Sequence, residues 1–351
     1  MDNTRKIFRE IKADAMLTES ADLRFYLTGF PSSFGIVYTD AQESIFFTDP
    51  RYAEGAKAAL KNTFIGVEIA KDLHTVLDYV KSKKIRRIAV PFERLTLPQA
   101  KEFEARRFKI VDSMPAFTRA MAVKSEDEVA WIREACGIAE KAYADVLSSL
   151  KEGITENETA ALLEYTMRKY GAEDRSFETI VAFGKNSSVP HHAPGKTRLA
   201  NGMPVLFDFG CKSEGYCSDI TRTFLFGKSA EQEEFCKLYE RVYDAHMLAA
   251  EKITAGMTGK EADAVARDSL RAHGLDKFFT HSLGHGIGIN IHEYPALSPS
   301  STAVLGDGMV FSIEPGIYFE GKFGIRIEDS VMLQGGKVET FMKSDKKLTV
   351  L

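Results

Sequence analysis

The sequence has little of what a secreted, membrane-spanning or nucleic-acid-binding protein needs. Its 351 residues include four cysteines, too few and too scattered for a disulfide framework, so we expect free thiols. No apolar run approaches the roughly 20 residues that span a bilayer, and the opening MDNTRKIFREIKAD lacks the apolar core of a signal peptide. The net charge is −4, without a dominant basic cluster. These absences predict a cytoplasmic protein that binds neither nucleic acid nor a membrane.

The length and the order of patterns predict two domains, residues 1–122 and 123–351. Short apolar runs alternate with helical spacing in the first, which indicates an α/β domain. Its predicted strands are GIVYTD, SIFFTD, FIGVEIA, RRIAVPF and FKIVDS, and its predicted helices are RYAEGAKAALKN and LHTVLDYVKSKK. The second part interleaves long helical patterns with strand hairpins, which indicates an α+β domain.

Four capping patterns predict where the helices of the second domain begin. Each is a serine or threonine followed three residues later by glutamate or glutamine. The caps are Ser125, Thr155, Ser229 and Thr258, and the four helices are expected to end near Gly153, Gly171, Thr254 and His273-Gly274.

Two aspartates interrupt an apolar hairpin pattern in VLFDFGCKSEGYCSDITRTF, residues 205–224. A turn over KSEG, residues 212–215, places Asp208 directly opposite Asp219. Two carboxylates that face each other repel unless one is protonated or a cation lies between them. The pattern therefore predicts a compensating group, and a metal ion is the first candidate.

A second hairpin pattern, MVFSIEPGIYFEGKFGIRIEDSVML, repeats this arrangement. With its turn centred on Gly321, Glu314 faces Glu328, and Pro315 with Gly316 indicates a bulge nearby. For either hairpin alone, an acid at a sheet edge or one neutralised by Arg326 is an adequate explanation. Two facing acidic pairs in one chain favour a shared metal site.

Histidines occur next to small residues in two segments. THSLGHGIGINIHEYP carries His281, His285 and His292 among glycines, and NSSVPHHAPGK carries His191 and His192 in a loop pattern. A single histidine is usually a packed or solvated residue, but three within twelve positions favour a site. Four carboxylates and one imidazole form a hard, oxygen-rich set that suits two divalent ions of the manganese, cobalt or iron kind. Such a pair favours hydrolysis.

The ordered set of Asp208, Asp219, His285 in HSLGHGIG, Glu314 in SIEPGIY and Glu328 in IRIEDS resembles the metal-binding signature of the pita-bread metallopeptidases. This family includes methionine aminopeptidase, prolidase and aminopeptidase P. LRFYLTGF and TDPRY are similar to the creatinase-like N-terminal domain of the last two, and VKSEDEVAWIREA is similar to the linker into their catalytic domain. The resemblance implies a creatinase-like α/β domain followed by a pita-bread α+β domain, and a homodimer.

The resemblance also implies a role for each site residue. Asp208 holds one ion, Asp219 and Glu328 bridge both, and His285 and Glu314 complete the other. A bridging hydroxide attacks the scissile carbonyl while Glu314 handles the proton. The remaining roles concern the substrate: His191 contacts it near the leaving nitrogen, His292 stabilises the oxyanion, His281 lines the pocket and Arg326 orients the acids. His192 receives no role.

The implied activity is release of the N-terminal residue from peptides with proline in second position, using two ions per subunit, with Mn²⁺ ahead of Co²⁺, Zn²⁺ or Fe²⁺. Prolidases often have an arginine in H-E-x-P-R that binds a dipeptide carboxylate, whereas this chain has Ala296 in HEYPALSPSS. That difference favours an Xaa-Pro aminopeptidase over the alternative, an Xaa-Pro dipeptidase. The five ligands disfavour creatinase and a metal-free peptide-binding pseudoenzyme, and methionine aminopeptidase is a further alternative.

Overall fold

A computed structural model describes residues 3–228 and 232–351. The predicted helix cap at Ser229 lies outside these ranges. The chain divides into two compact units, residues 1–121 and 122–351. No helix in the described ranges combines the length and the apolar character that crossing a membrane requires. All four cysteines are free thiols, as the sequence predicts.

The first unit is an α/β domain built on a six-stranded mixed sheet. Its helices are α1 (Asn3–Arg9), α2 (Ala21–Thr28), α3 (Pro50–Ala59), α4 (Leu73–Ser82), α5 (Leu97–Ala105) and α6 (Met114–Ala122). Its strands are β1 (Ala15–Thr18), β2 (Ile36–Asp40), β3 (Ser44–Thr48), β4 (Ile65–Ile69), β5 (Arg87–Val90) and β6 (Lys109–Asp112). They are ordered β4-β3-β2-β1-β5-β6. The five predicted strands and two predicted helices are present, while β1 was not predicted.

Four helices of the second unit follow the capping patterns. They are α7 (Glu126–Ser149), α8 (Glu156–Lys169), α9 (Gln232–Lys252) and α10 (Gly259–Arg271). Ser125, Thr155 and Thr258 each form a complete capping box with the glutamate three residues on. These reciprocal bonds satisfy backbone N–H groups that have no partner within the helix. The sequence therefore places these three helix starts correctly.

The strands of the second unit form one large antiparallel sheet, a three-stranded sheet and a two-stranded sheet. They are β7 (Asp174–Arg175), β8 (Ile180–Phe183), β9 (Met203–Phe209), β10 (Cys211–Ser213), β11 (Tyr216–Cys217), β12 (Ile220–Phe226), β13 (Gly284–Gly286), β14 (Glu293–Leu297), β15 (Val310–Ile313), β16 (Gly316–Phe319), β17 (Phe323–Arg326), β18 (Glu328–Gln334) and β19 (Lys337–Thr340). The large sheet is ordered β14-β13-β15-β18-β12-β9-β8, with β19 beside β18. The three-stranded sheet contains β7, β10 and β11, and the two-stranded sheet contains β16 and β17.

The predicted register of the first hairpin is wrong by two residues. The turn is a tight one in which Glu214 and Gly215 both have positive φ, 47° and 76°, so Ser213 pairs with Tyr216. In consequence Asp208 pairs with Thr221 rather than Asp219. Because the shift is an even number, alternation keeps the two aspartates on the same face. Asp219 lies just before β12, outside the ladder.

The predicted register of the second hairpin is confirmed. Phe319 pairs with Phe323 around Gly321, whose φ is 73°, and the same register continues where Ile313 pairs with Asp329. The ladder breaks between β15 and β16, at the predicted bulge. In this register Glu314 lies across from Glu328, at the gap between β15 and β16, while Glu328 begins β18 and pairs with Thr221 of β12.

Candidate metal centre

A cavity of about 670 Å³ lies in the second unit. It is lined by every residue that the sequence singles out for metal or substrate, namely His191, Asp208, Asp219, His281, His285, His292, Glu314, Arg326 and Glu328, and also by His192. The residues come from segments as far apart as 191 and 328 in the chain. The antiparallel sheet brings them together because it places β9, β12, β13, β15 and β18 side by side.

Three buried carboxylates that line this cavity each have an oxygen without a hydrogen-bond partner in the described part of the chain. Asp208, Asp219 and Glu328 are 9%, 5% and 2% exposed, and among the described residues Oδ1, Oδ1 and Oε1 respectively have no hydrogen-bond partner. A buried carboxylate oxygen without a partner is costly, since it has lost its water and gained nothing. Such oxygens are accounted for when a cation binds between them.

His285 presents a lone pair to the same place. Its Nδ1 lies 3.1 Å from the carbonyl oxygen of Gly286; because a carbonyl only accepts, Nδ1 carries the proton. Nε2 is then an acceptor, yet it lies 3.6 Å from Oδ2 of Asp219 and 3.4 Å from Oε1 of Glu314. Asp219, His285 and Glu328 each offer an atom within 4.8 Å of the others. Acceptors gathered in this way can hold a metal ion.

Three acids of the cluster, Asp219, Glu314 and Glu328, resist ionisation because their pKa values are raised. Burial, and then the charges of Glu328 and Asp208, raise the pKa of Asp219 well above its usual value. Burial also raises the pKa of Glu328 strongly and that of Glu314 to about 8. Burial lowers the pKa of His285 to about 4, with His292 adding to the effect. The imidazole is therefore neutral, the form that coordinates metal.

A network of hydrogen bonds fixes the orientation of the carboxylates. Thr221 donates to Oε2 of Glu328 over 2.6 Å and accepts from Nε of Arg326 at 3.0 Å. The same guanidinium donates through Nη2 to Oδ2 of Asp208. Asp208 and Glu328 thus each have one oxygen fixed by the protein and one oxygen without a partner among the described residues. Ser312 fixes Oε1 of Glu314 in a similar way, at 3.0 Å.

Tyr318 is part of this hydrogen-bond network, although it was not predicted from the sequence. Its hydroxyl accepts from Nη1 of Arg326 at 2.6 Å and lies 2.9 Å from Nε2 of His281. Nδ1 of His281 donates to the carbonyl of Ser282 at 2.8 Å, so Nε2 accepts from the tyrosine. Burial, reinforced by Arg326, lowers the pKa of His281 to about 3. The predicted register contained the signal: Gly316 pairs with Arg326, and alternation puts Tyr318 on the same face.

His292 is held next to the cluster by a buried ion pair. Its ring packs edge-on against His285 with centroids 4.2 Å apart. The neighbouring Glu293 accepts from Nζ of Lys124 at 2.9 Å, and both side chains are almost fully buried. Its other oxygen accepts from the backbone N–H of Asn290 at 3.0 Å. A buried ion pair with these added bonds fixes the direction of the loop that carries His292.

Known proteins share both halves of this chain. Residues 130–334 match the model of metallopeptidase family M24, and residues 1–120 match the creatinase/prolidase N-terminal domain. An uncharacterized peptidase of Bacillus subtilis, YqhT, is 36% identical over 100% of this chain and 99% of its own length.

Two solved structures agree over nearly the whole chain. An Xaa-Pro dipeptidase from Bacillus anthracis has a TM-score of 0.93 at 34% identity, covering 99% of this chain and 98% of that one. An X-Pro aminopeptidase from Thermotoga maritima has a TM-score of 0.90 at 37% identity, covering 98% and 99%. The fold is therefore a creatinase-like domain followed by a pita-bread catalytic domain, as the sequence predicts. This chain is a hydrolase of metallopeptidase family M24.

Proposed function

We propose that the protein is a dinuclear metal-dependent exopeptidase that releases the N-terminal residue from peptides with proline in second position. One observation carries the proposal: a single cavity is lined by three buried carboxylates, each with an oxygen that has no partner among the described residues, and by a histidine whose Nε2 lone pair is free to coordinate. The donor set is four carboxylates and a neutral imidazole. This set fits divalent cations and has no thiolate.

The residues divide between two ions. Asp208 would hold one ion, His285 and Glu314 the other, and Asp219 and Glu328 would be shared. When bound, the ions supply Lewis-acid activation of water and of the scissile carbonyl. Mn²⁺ is the proposed metal, with Co²⁺, Zn²⁺ and Fe²⁺ as alternatives that the same oxygen-rich set accepts.

The protein's own groups handle the proton and the substrate. Glu314 has its Oε1 fixed by Ser312, and its carboxylate would take a proton from water and return it to the leaving nitrogen. His292, beside His285, would donate to the carbonyl oxygen as negative charge develops there. His191, which also lines the cavity, would contact the substrate near the leaving nitrogen. Arg326 orients Asp208 and, through Thr221, Glu328.

The choice of peptide length depends on what binds the substrate carboxylate. Among the described lining residues the only arginine or lysine is Arg326, and it is committed to Asp208, Tyr318 and Thr221. A dipeptide carboxylate would therefore lie in the cavity without a guanidinium partner. This supports an Xaa-Pro aminopeptidase acting on longer peptides. The dipeptidase activity is the second candidate, because the Bacillus anthracis structure carries that name.

A metal-reconstituted assay tests the proposal. Chelated protein is loaded with Mn²⁺ and given Ala-Pro, Ala-Pro-Ala and Met-Ala-Ala in parallel. We expect Ala-Pro-Ala to be cleaved best, at the Ala–Pro bond, and Met-Ala-Ala to be a poor substrate. Faster cleavage of Ala-Pro would support the dipeptidase, and cleavage of Met-Ala-Ala alone would contradict the Xaa-Pro assignment. Assembly as a homodimer and a cytoplasmic location stay predictions.

A further inference from the structure

Glu156 is a buried carboxylate outside the metal cluster, and it is fully enclosed at 0% exposure. Its Oε1 accepts from the backbone N–H of Phe183 and from the side-chain amide of Asn186, both at 2.8 Å. Its Oε2 accepts from the backbone N–H of Gly195 at 2.9 Å and lies 3.0 Å from Nε2 of His192. One side chain thus contacts the beginning, the middle and the end of residues 183–195, here named the histidine loop.

The burial of the Glu156 carboxylate is not explained by capping of α8. Glu156 is the first residue of α8, but the capping box there is formed by Thr155 and Glu158. Glu156 instead points away from its own helix and toward the histidine loop. A carboxylate is suited to this task because its two oxygens accept several N–H bonds at once, and such charge-assisted bonds are the stronger kind.

The two adjacent histidines of the loop have different surroundings. His191 is exposed to the cavity, whereas the side chain of His192 is 18% exposed and is turned onto Glu156. Pro190 and Pro194 bracket the pair and restrict the backbone on either side. Anchoring His192 therefore fixes the backbone that carries His191.

We propose that Glu156 and His192 are positioning residues, which hold the histidine loop so that His191 faces the substrate. The catalytic meaning of this assignment rests on the proposed function, but the anchoring itself does not. The side chain of His192 acts through His191 and is not a group that touches the reacting atoms. The contact with Glu156 therefore assigns to His192 a role that differs from the role of its neighbour His191.

Hydrogen exchange tests the anchoring without any turnover. In His192→Ala, and separately in Glu156→Gln, amide exchange in fragments covering 183–195 should accelerate about tenfold, because each variant removes a bond that holds the loop. Exchange elsewhere should stay unchanged. Glu158→Gln is the matched control, since it alters the same helical turn and keeps the capping box. Equal exchange of the histidine loop in wild type and both variants would overturn the proposal.

A kinetic double-mutant cycle tests the route through His191. His192→Ala should lower kcat about tenfold in the wild-type background, as loss of a supporting residue does, and should have little further effect in His191→Ala. His192→Gln, which keeps an N–H donor, should restore part of kcat. If His192→Ala lowered kcat equally in the wild-type and His191→Ala backgrounds, the proposal would be overturned. A wild-type enzyme without Xaa-Pro turnover would instead contradict the proposed function, and the exchange result would still decide the anchoring.

Discussion

Ala296 lies directly opposite His285 in the ladder between β13 and β14. Residues opposed in this way point to the same face, and Ala296 does line the cavity. The chain therefore has a methyl group beside His285, at the position of the arginine in the prolidase pattern H-E-x-P-R. The consequence is a specific prediction about substrate length.

Ala296→Arg should move the preference toward dipeptides. A guanidinium next to the cluster offers a bidentate partner to the free carboxylate of Ala-Pro. We expect the ratio of kcat/KM for Ala-Pro over Ala-Pro-Ala to rise about tenfold or more, equivalent to one charge-assisted bond. Ala296→Met is the control for side-chain length without charge. A ratio that rises equally in both variants would show that bulk, not the guanidinium, is responsible.

Asp219→Ala should abolish turnover and lower the amount of bound metal. Asp219 is one of the three residues whose ligand atoms converge, and loss of a shared ligand removes a contact to both ions. We expect kcat to fall by about a thousandfold or more, with bound metal measured by elemental analysis. Asp174 is an exposed aspartate of the same unit, and Asp174→Ala should keep normal turnover and normal bound metal. Near-normal turnover in Asp219→Ala would contradict the bridging role.

Tyr318→Phe should slow the reaction and weaken the fold. The change leaves Nη1 of Arg326 and Nε2 of His281 without the hydroxyl that joins them, which costs about 1–3 kcal/mol of unfolding free energy. Arg326 then holds Asp208 less firmly, and we expect kcat to fall about tenfold to a hundredfold.

Tyr239→Phe is the matched control for Tyr318→Phe. The hydroxyl of Tyr239 donates to the carbonyl of Lys346 at 2.8 Å, away from the cavity. Its removal should lower stability in urea denaturation and leave kcat unchanged. If both variants lost stability equally and neither lost turnover, Tyr318 would be a packing residue only.

His246 should make the protein less stable as the pH falls below about 6.5. It is 1% exposed, and neither ring nitrogen has a partner among the described residues. Burial lowers its pKa to about 4; Asp329 opposes this shift, while Arg222 and Lys346 add to it. Between these pKa values the unfolded chain binds the proton and the folded chain does not, so acid favours unfolding.

The corresponding measurement is urea denaturation of His246→Leu at pH 7 and pH 5. Between pH 7 and pH 5 the free energy of unfolding of the wild type should fall by about 2 kcal/mol more than that of this variant, because the pKa of His246 is depressed in the folded protein. His273→Leu, at an exposed position, should behave like wild type. The same pH dependence in all three proteins would mean that His246 does not titrate differently on folding.

Local patterns made much of this structure predictable. Ser125, Thr155 and Thr258 form their capping boxes within three residues, so no distant contact can change them. The register at Glu314 and Glu328 followed from one glycine, Gly321, at a turn that requires positive φ. The fold class followed from the order of motifs along the chain.

Other features of the structure could not be predicted from local sequence patterns. Glu214 adopts a positive φ without being glycine, which tightened the first turn and moved Asp208 opposite Thr221. The strand β1 is buried on both faces and is too short to show alternation. The bond from Thr221 to Glu328 and the anchoring of His192 by Glu156 join residues 107 and 36 positions apart. Only the folded domain brings them together.

Stepwise metal titration of the chelated protein, with Ala-Pro-Ala turnover and bound metal followed together, tests the central claim most directly. If the buried carboxylates and His285 share two ions, turnover should be absent in the metal-free protein and reach its plateau at two ions per chain. A protein that binds two ions and cleaves no Xaa-Pro peptide, or one that cleaves equally well without metal, would contradict the account.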